Sequence, residues 1–470
     1  MRRLSVRLLP VLLAAALLEG QSLRQVSLLI THGIIVTVNP ERRVITDGAI
    51  AIDGPRIVDV GAAADIAARY RGAETIDAAG SVVMPGLINT HTHAPMVLFR
   101  GLADDLALMD WLQKYIFPAE AKTVSPDFVR VGTQLAALEM IESGTTTFTD
   151  MYYFEDDIAR AAKSAGLRGV LGETIIQFPV ADARTPADSL ARTERFAAEF
   201  AHDDLITPAV APHAMYTLDA DTLKACRALA DRLHIPVIIH LAETNDEVRT
   251  SEEKHHLTPT AFLESIGFWG PRTVAAHAVH VTPDDIRILA RRHVGVSHNP
   301  ESNMKLASGA APVPAMRDAG IAVGLGTDGA ASNNDLDMFE AMRQAAFLHK
   351  LVMGDPRIIP APVAIEMATI DGARTLGLEQ QIGSLEAGKL ADVIVVSMAS
   401  ARQTPMYDPQ SHLVYVTRGD DVRTTIVNGK VLMRDRKVLT LDVDRVLAEA
   451  RVYAEKVRAA VAGSRIPGHE

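Results

Sequence analysis

The chain has 470 residues, enough to bury one large core, and its 48% apolar and 22% charged content is that of a folded globule, not a disordered or membrane-embedded chain. Its formal net charge of -11 argues against a general nucleic-acid binder. Cys226 is the single cysteine, which excludes an intramolecular disulfide, a Cys-rich zinc knuckle and an iron-sulfur cluster.

Residues 1–22 place Arg2, Arg3 and Arg7 around the start of an apolar run, residues 8–18, that then gives way to Glu19, Gly20, Gln21 and Ser22. A basic stretch followed by an apolar one too short to span a membrane comfortably predicts an export signal, and hence a periplasmic or secreted protein. Cleavage signals are poor, with Ala16 and Gly20 the nearest small residues. An uncleaved anchor and a cytoplasmic protein with a misassigned start are the alternatives. No later stretch has eighteen apolar residues without a charge, so no stable membrane span is expected.

From residue 23 to 84 the texture is β-rich and divided by Gly and Pro turns, and it returns over residues 385–440. This predicts one small, β-sandwich-like domain built from both termini. Residues 443–462 read as a closing helix within a C-terminal segment 441–470, and 464–470 as a loose tail. Between the β-rich parts, residues 85–384 alternate β and α. Apolar segments end in polar residues at His91 and His93, Asp150, Glu173, His213, His240, His277, His298 and Asp328, with helix-like stretches such as 129–142 and 219–233 between them. Eight such segments predict a (β/α)8 TIM barrel, a fold whose active site lies at the C-terminal ends of its strands.

The run Val82-Val83-Met84-Pro85-Gly86-Leu87-Ile88-Asn89-Thr90 reads as a strand that ends in His91 and His93. Residues i and i+2 of a strand face one side, so both imidazoles can reach one ion. With His240 and Asp328 closing other strands, three imidazoles and a carboxylate suit one divalent metal ion and leave room for a water. Zinc and iron both fit that donor set. A water activated there needs a proton acceptor, and its leaving group a donor. Glu243, three residues beyond His240, suits both tasks; an exposed carboxylate in a first helical turn is the alternative. His277 can orient the attacking oxygen, or it is a core histidine of an Ala-rich strand. Asp328 would serve as ligand and as hydrogen-bond acceptor. His202, His234, His256, His280, His293 and His412 read as surface or capping residues, and His255-His256 as a solvated loop.

Several stretches then give a resemblance: Pro85-Gly86-Leu87-Ile88-Asn89-Thr90-His91-Thr92-His93, Pro212-His213-Ala214-Met215-Tyr216-Thr217, His240-Leu241-Ala242-Glu243-Thr244, His277-Ala278-Val279-His280, Ser297-His298-Asn299-Pro300-Glu301-Ser302-Asn303 and Gly326-Thr327-Asp328-Gly329-Ala330-Ala331-Ser332. With these the chain resembles the amidohydrolase superfamily. Within it, the likeness is to the deaminase and chlorohydrolase branch, which includes the 5-methylthioadenosine/S-adenosylhomocysteine deaminases, guanine and cytosine deaminases and triazine hydrolases. The resemblance implies hydrolytic deamination of an adenosine-type nucleoside: activated water attacks C6, Glu243 protonates N1 and ammonia leaves. It also implies that Glu120 binds ribose hydroxyls, that Trp111 and His213 line the pocket, and that His298 and Ser332 touch substrate. On a plainer reading, Trp111 is a core aromatic and Glu120 a helix-surface charge.

The branch's arginine after the third strand is missing, since this chain reads Leu171-Gly172-Glu173-Thr174-Ile175 there. Glu173 would repel a substrate carboxylate, and Arg168 is a poor substitute. A neutral-tailed adenosine, or another heterocycle of guanine, cytosine or triazine type, is the alternative substrate. Two-metal chemistry would call for a bridging lysine or carboxylate after the fourth strand, where His213 stands. Phosphate-loop and dinucleotide fingerprints are absent, so no organic cofactor is expected. A homodimer is the common assembly, but no sequence feature identifies an interface.

Overall fold

The computed structural model describes residues 23–461. The segment read as an export signal and the tail 464–470 lie outside the described residues.

Two sheets organise the chain. The first strands are β1 (Arg24–Val36), β2 (Val44–Asp53), β3 (Arg56–Ala62), β4 (Tyr70–Asp77) and β5 (Ser81–Pro85). Eight strands then alternate with helices: β6 (Leu87–Thr92), β7 (Thr145–Tyr152), β8 (Arg168–Ile175), β9 (Ile206–Pro212), β10 (Val237–Leu241), β11 (Thr273–His277), β12 (Gly295–His298) and β13 (Val323–Leu325). The chain ends with β14 (Val393–Ser397), β15 (Val422–Val427), β16 (Lys430–Arg434), β17 (Lys437–Val438) and the helix Val443–Val461.

Strands β6 to β13 form an all-parallel sheet in chain order. Its two edges are joined by other means than a ladder: Thr90 Oγ1 donates to the Leu325 carbonyl at 2.9 Å, and the Asp328 N–H to the His91 carbonyl at 3.0 Å. This is the expected (β/α)8 barrel. The remaining strands make one mixed sheet in the order β17-β16-β15-β14-β5-β1-β2-β3, with β4 parallel to β1, so both termini do build the small domain.

The run from Val82 to Thr90 is two strands, not one. Gly86 divides it, because β5 pairs antiparallel with β14 in the small domain while β6 opens the barrel beside β7. A Cβ on Gly86 would lie 2.1 Å from Thr146 Oγ1, so only glycine lets the chain pass from one sheet to the other. Within the β-rich N-terminal part, β2 and β3 meet at the turn residue Gly54, φ +55°.

The barrel strands are apolar throughout because both faces are covered. Val170, Ile238 and Val274 belong to the cluster that fills the barrel with Ile88, Met151, Ala209 and Ala211. Their neighbours Leu171, Ile239 and Ala275 face the surrounding helices. The helix predicted over 129–142 runs Pro126–Ser143, capped by Ser125, which accepts from the Phe128 N–H, and ended by Gly144 at φ +86°. That predicted over 219–233 runs Ala220–Leu233 with Asp219 as its cap. His234 and His256 are left-handed residues that end helices, as a capping role requires. His255 departs from its expected solvated loop: it closes the helix Asn245–His255 and stacks on Phe262 at 3.9 Å. Among the described residues no helix is long and apolar enough to cross a membrane.

Candidate metal centre and substrate pocket

The ends of four barrel strands converge. His91 lies in β6 and His93 just beyond it, His240 lies in β10, His277 ends β11, and Asp328 follows β13. Ring centroids of His93 and His240 each lie 4.9 Å from that of His91. Asp328 Oδ1 is 3.4 Å from the Nε2 atoms of both His91 and His93. His277, Asp328 and Ala242 hold φ of +72°, +64° and +46°, values that cost conformational energy away from glycine and cluster at functional sites.

These residues fit a divalent metal ion. Donor atoms of His91, His93 and His240 fall within 4.8 Å of one another, as do those of His91, His277 and Asp328. Both ring nitrogens of His91 are buried without a hydrogen-bond partner, a costly state for a polar group unless an ion takes it up. His93 Nδ1 sits 2.7 Å from the Met151 carbonyl and His240 Nδ1 2.8 Å from the His213 carbonyl. Each carbonyl requires a proton on Nδ1, which leaves the Nε2 lone pair free to bind metal. Burial lowers the pKa of His91 to about 4 and that of His240 well below the usual value, so both are neutral, as ligands must be. Burial opposes ionisation of Asp328, but the imidazoles of His91, His277 and His93 outweigh it and hold its pKa well below the usual range. Its Oδ2 accepts from Ser302 Oγ at 2.7 Å and Ser332 Oγ at 2.8 Å, which fixes the carboxylate plane.

Beside the ligands, Glu243 Oε2 lies 3.9 Å from His277 Nε2. Glu243 is buried, not exposed on a helix turn, and burial raises its pKa. Burial works against charging His277, yet Glu243 and Asp328 outweigh it and raise its pKa as well. The Glu243 backbone is pinned from below: the N–H groups of Ala242 and Glu243 donate to the two carboxylate oxygens of Glu247 at 3.0 and 2.9 Å. His277 is oriented by Asn303, whose Oδ1 lies 2.9 Å from Nδ1. A carboxyl with a raised pKa next to an aimed imidazole can accept and return a proton in neutral water.

A cavity opens onto these groups. Its walls include His93, His213, His240, Glu243, His277, Asp328 and Ser332 from the barrel, and Trp111, Phe117 and Glu120 from the segment after β6. That segment contains a π-helical turn, Leu112–Ile116, which rotates the following helix Phe117–Thr123 by an extra residue. It is tied across the mouth by Lys305 Nζ, 2.6 Å from Asp104 Oδ1. Trp111 is buried and on the cavity wall at once. Glu120 is not a helix-surface charge; it is buried, accepts from Tyr152 O–H at 2.7 Å, and burial pushes its pKa up to about 7.

Two expectations, for His298 and Glu173, need correction. His298 does not reach the cavity: it is fully buried, with its Nε2 3.1 Å from His349 Nε2 on the helix Met338–Met353. Ser332 stands on the cavity wall, and its hydroxyl donates to Asp328. Glu173 cannot repel a substrate, because strand alternation sends it behind β8 to Arg192, at 2.9 Å, while its neighbour Thr174 faces the cavity. Arg168 starts β8 at the opposite end of the barrel and pairs with Asp392, so it cannot substitute for a substrate-binding arginine.

Sequence reasoning missed Glu247, Asn303, Asp150 and Tyr152. Thr244 and Glu247 have the spacing of a capping box, a signal that was there to be read, although Glu247 bonds residues 242 and 243 instead of the cap. Asp150 stands where an apolar segment ends, as the ligands do, and Asn303 lies in the stretch 297–303, but neither carried a role; Tyr152 had no local signal.

The chain is similar to known proteins. An amidohydrolase family model matches residues 82–432. A 5-methylthioadenosine/S-adenosylhomocysteine deaminase of Syntrophobacter fumaroxidans is 48% identical over 431 residues, 92% of this chain and 98% of the relative. A 5'-deoxyadenosine deaminase of Methanosarcina acetivorans is 46% identical over 432 residues, again 92% and 98%. The crystal structure of an adenosine deaminase from Xanthomonas campestris with bound zinc superposes with a TM-score of 0.92 at 39% identity, covering 93% of this chain and 100% of that one. Shared fold, near-complete coverage and high identity together make the chain a member of the amidohydrolase family.

Proposed function

We propose that the chain is a metal-dependent hydrolytic deaminase of an adenosine-type nucleoside, converting it with water to the inosine analogue and ammonia. The observation that carries the reading is the set of neutral, carbonyl-oriented imidazoles and Asp328 beside a Glu243–His277 pair, in a chain whose relatives are adenosine-compound deaminases.

His91, His93, His240 and Asp328 hold one divalent ion; zinc is favoured over iron because the similar Xanthomonas deaminase carries zinc. Such an ion, when bound, acts as a Lewis acid that lets water give up a proton near neutral pH. Glu243 takes that proton and delivers it to ring N1, which makes C6 electrophilic. His277, aimed by Asn303, hydrogen-bonds the attacking oxygen, and Asp328 accepts from it. The C6–O bond forms, the proton still on that oxygen passes to Glu243, emptied by its delivery to N1, and from there to the exocyclic nitrogen; the C6–N bond breaks as C6=O forms, and the nitrogen leaves as ammonia. Glu120 binds the ribose hydroxyls, while Trp111 and His213 enclose the base.

Ammonia release by protein of known metal content tests this against adenosine, 5'-deoxyadenosine, guanine and cytosine. Turnover of adenosine compounds that is lost in E243Q supports it. Turnover of guanine or cytosine instead, undiminished in E120A, would move the substrate to another heterocycle. Export rests on residues 1–22 alone, and we propose it for the sequence reason given; activity confined to the cytoplasmic fraction of the source cell would overturn it.

A further inference from the structure

Next to the main cavity lies a second one, and the two share Phe117, Glu120 and Tyr153 as walls. Its remaining walls come from the irregular loop after β8, with Phe178, Pro179 and Val180 prominent. Phe117 and Phe178 meet edge to face at 5.7 Å. Phe178 stays 41% exposed, an uncovered aromatic on a loop that contributes little to the core. No lysine, arginine or histidine lines this chamber among the described residues. The nearby arginines Arg184, Arg192 and Arg195 line not this chamber but an adjoining hollow, which shares Val180 and Ala181 with it and also holds Asp182 and Asp188. Asp182 itself accepts from the Phe154 N–H at 2.7 Å and lies 3.3 Å from Arg192.

Resting on the deaminase reading above, we infer that this chamber receives the 5' substituent of the nucleoside and selects small uncharged groups over an amino-acid tail. Glu120 stands at the junction of the two cavities, so a ribose it holds by its hydroxyls has the base on the metal side and C5' on the side of Phe117 and Phe178. A methyl or methylthio group there covers two phenyl faces. A zwitterionic tail would enter the same space with a carboxylate and find no cation to replace its water, beside a carboxyl that would repel it once ionised. A free 5' hydroxyl gains nothing from the aromatic walls and loses its solvent, so adenosine falls below the 5'-deoxy compound.

The test is kcat/KM of the metal-loaded enzyme for 5'-methylthioadenosine, 5'-deoxyadenosine, adenosine and S-adenosylhomocysteine. The expected order puts the first two at least ~10-fold above S-adenosylhomocysteine. F178A, at an exposed position that leaves the fold intact, should raise KM for methylthioadenosine about 10-fold while changing adenosine little. V180R should shift the ratio toward S-adenosylhomocysteine. Equal or faster turnover of S-adenosylhomocysteine by the unchanged protein overturns the inference, and a loss of that turnover in R184M would place the tail in the arginine hollow instead. Failure of all four compounds overturns the deaminase reading and this inference with it, whereas turnover in the wrong order overturns the inference alone.

Discussion

Asn303 Oδ1 lies 2.9 Å from His277 Nδ1, and both side chains are buried. An amide oxygen accepts only, so this contact puts the imidazole proton on Nδ1 and aims Nε2 at Glu243. Removing the acceptor frees the ring to tilt and to change tautomer. N303A should lower kcat by about 10- to 100-fold with KM nearly unchanged, as steady-state kinetics will read. N303D, which keeps the oxygen, should recover most of the loss. Equal losses in both variants would mean that Asn303 serves packing alone.

His93 is held by two consecutive residues of β7. Asp150 Oδ1 accepts from Thr92 Oγ1 at 2.7 Å and from the Ala94 N–H at 2.6 Å, on either side of His93, while the Met151 carbonyl meets the ring itself. One carboxylate thereby fixes the backbone on both flanks of a proposed ligand. D150A should weaken metal affinity about 10- to 100-fold, measured by competition with a chelator, and leave the circular dichroism spectrum unchanged. D150N retains an acceptor oxygen and should bind more tightly than D150A. Wild-type affinity in D150A would show that Met151 orients His93 unaided.

The barrel and its ligands were legible for one reason: a carboxylate or imidazole recurs where each apolar segment stops, and strand period alone puts His91 and His93 on one side. Glu243 could be placed because it is three residues from a ligand. The partners that aim these groups were not legible, since Asn303 is 26 residues from His277 and Tyr152 is 32 from Glu120, and only the closed barrel brings them together. The errors share a physical source. Glu173 and His298 end strands, as the ligands do, but alternation turns Glu173 outward and the helix Met338–Met353 captures His298. Likewise an apolar run does not reveal where it changes sheets; Gly86 does so through its close approach to Thr146, 60 residues away in the sequence but adjacent in the fold.

Glu120 makes stability depend on pH in a definite direction. Burial raises its pKa to about 7 from 4.5. Between those values the unfolded chain has released the proton and the folded chain keeps it, so the folded state binds more protons. Stability therefore falls as pH rises through this window, by up to about 3 kcal/mol, and is fully present below it. E120Q does not ionise and still offers Tyr152 an oxygen. Denaturation midpoints of wild type and E120Q should draw together near pH 4.5 and separate in favour of E120Q toward neutral pH. Parallel profiles would mean that Glu120 is ionised in the fold.

Arg168 and Asp392 join the two domains at the barrel end away from the metal centre. Arg168 Nε is 2.9 Å from Asp392 Oδ2, its Nη1 donates to the Asp204 carbonyl at 2.8 Å, and the two side chains are 6% and 2% exposed. Asp392 Oδ1 also accepts from the Asn428 N–H at 2.7 Å, which ties in the turn between β15 and β16. R168M would leave that carboxylate buried without its countercharge and should cost about 3–5 kcal/mol in chemical denaturation. R168M with D392N removes the orphaned charge and should cost less than R168M alone, an outcome that separates ion pairing from simple loss of side-chain packing. Because the pair lies at the start of β8 while the site lies at the strand ends, folded R168M should keep its kcat/KM. A cost below about 1 kcal/mol would mean that other contacts between the domains, such as that from Thr425 Oγ1 to the Ile141 carbonyl at 2.7 Å, hold them together without it.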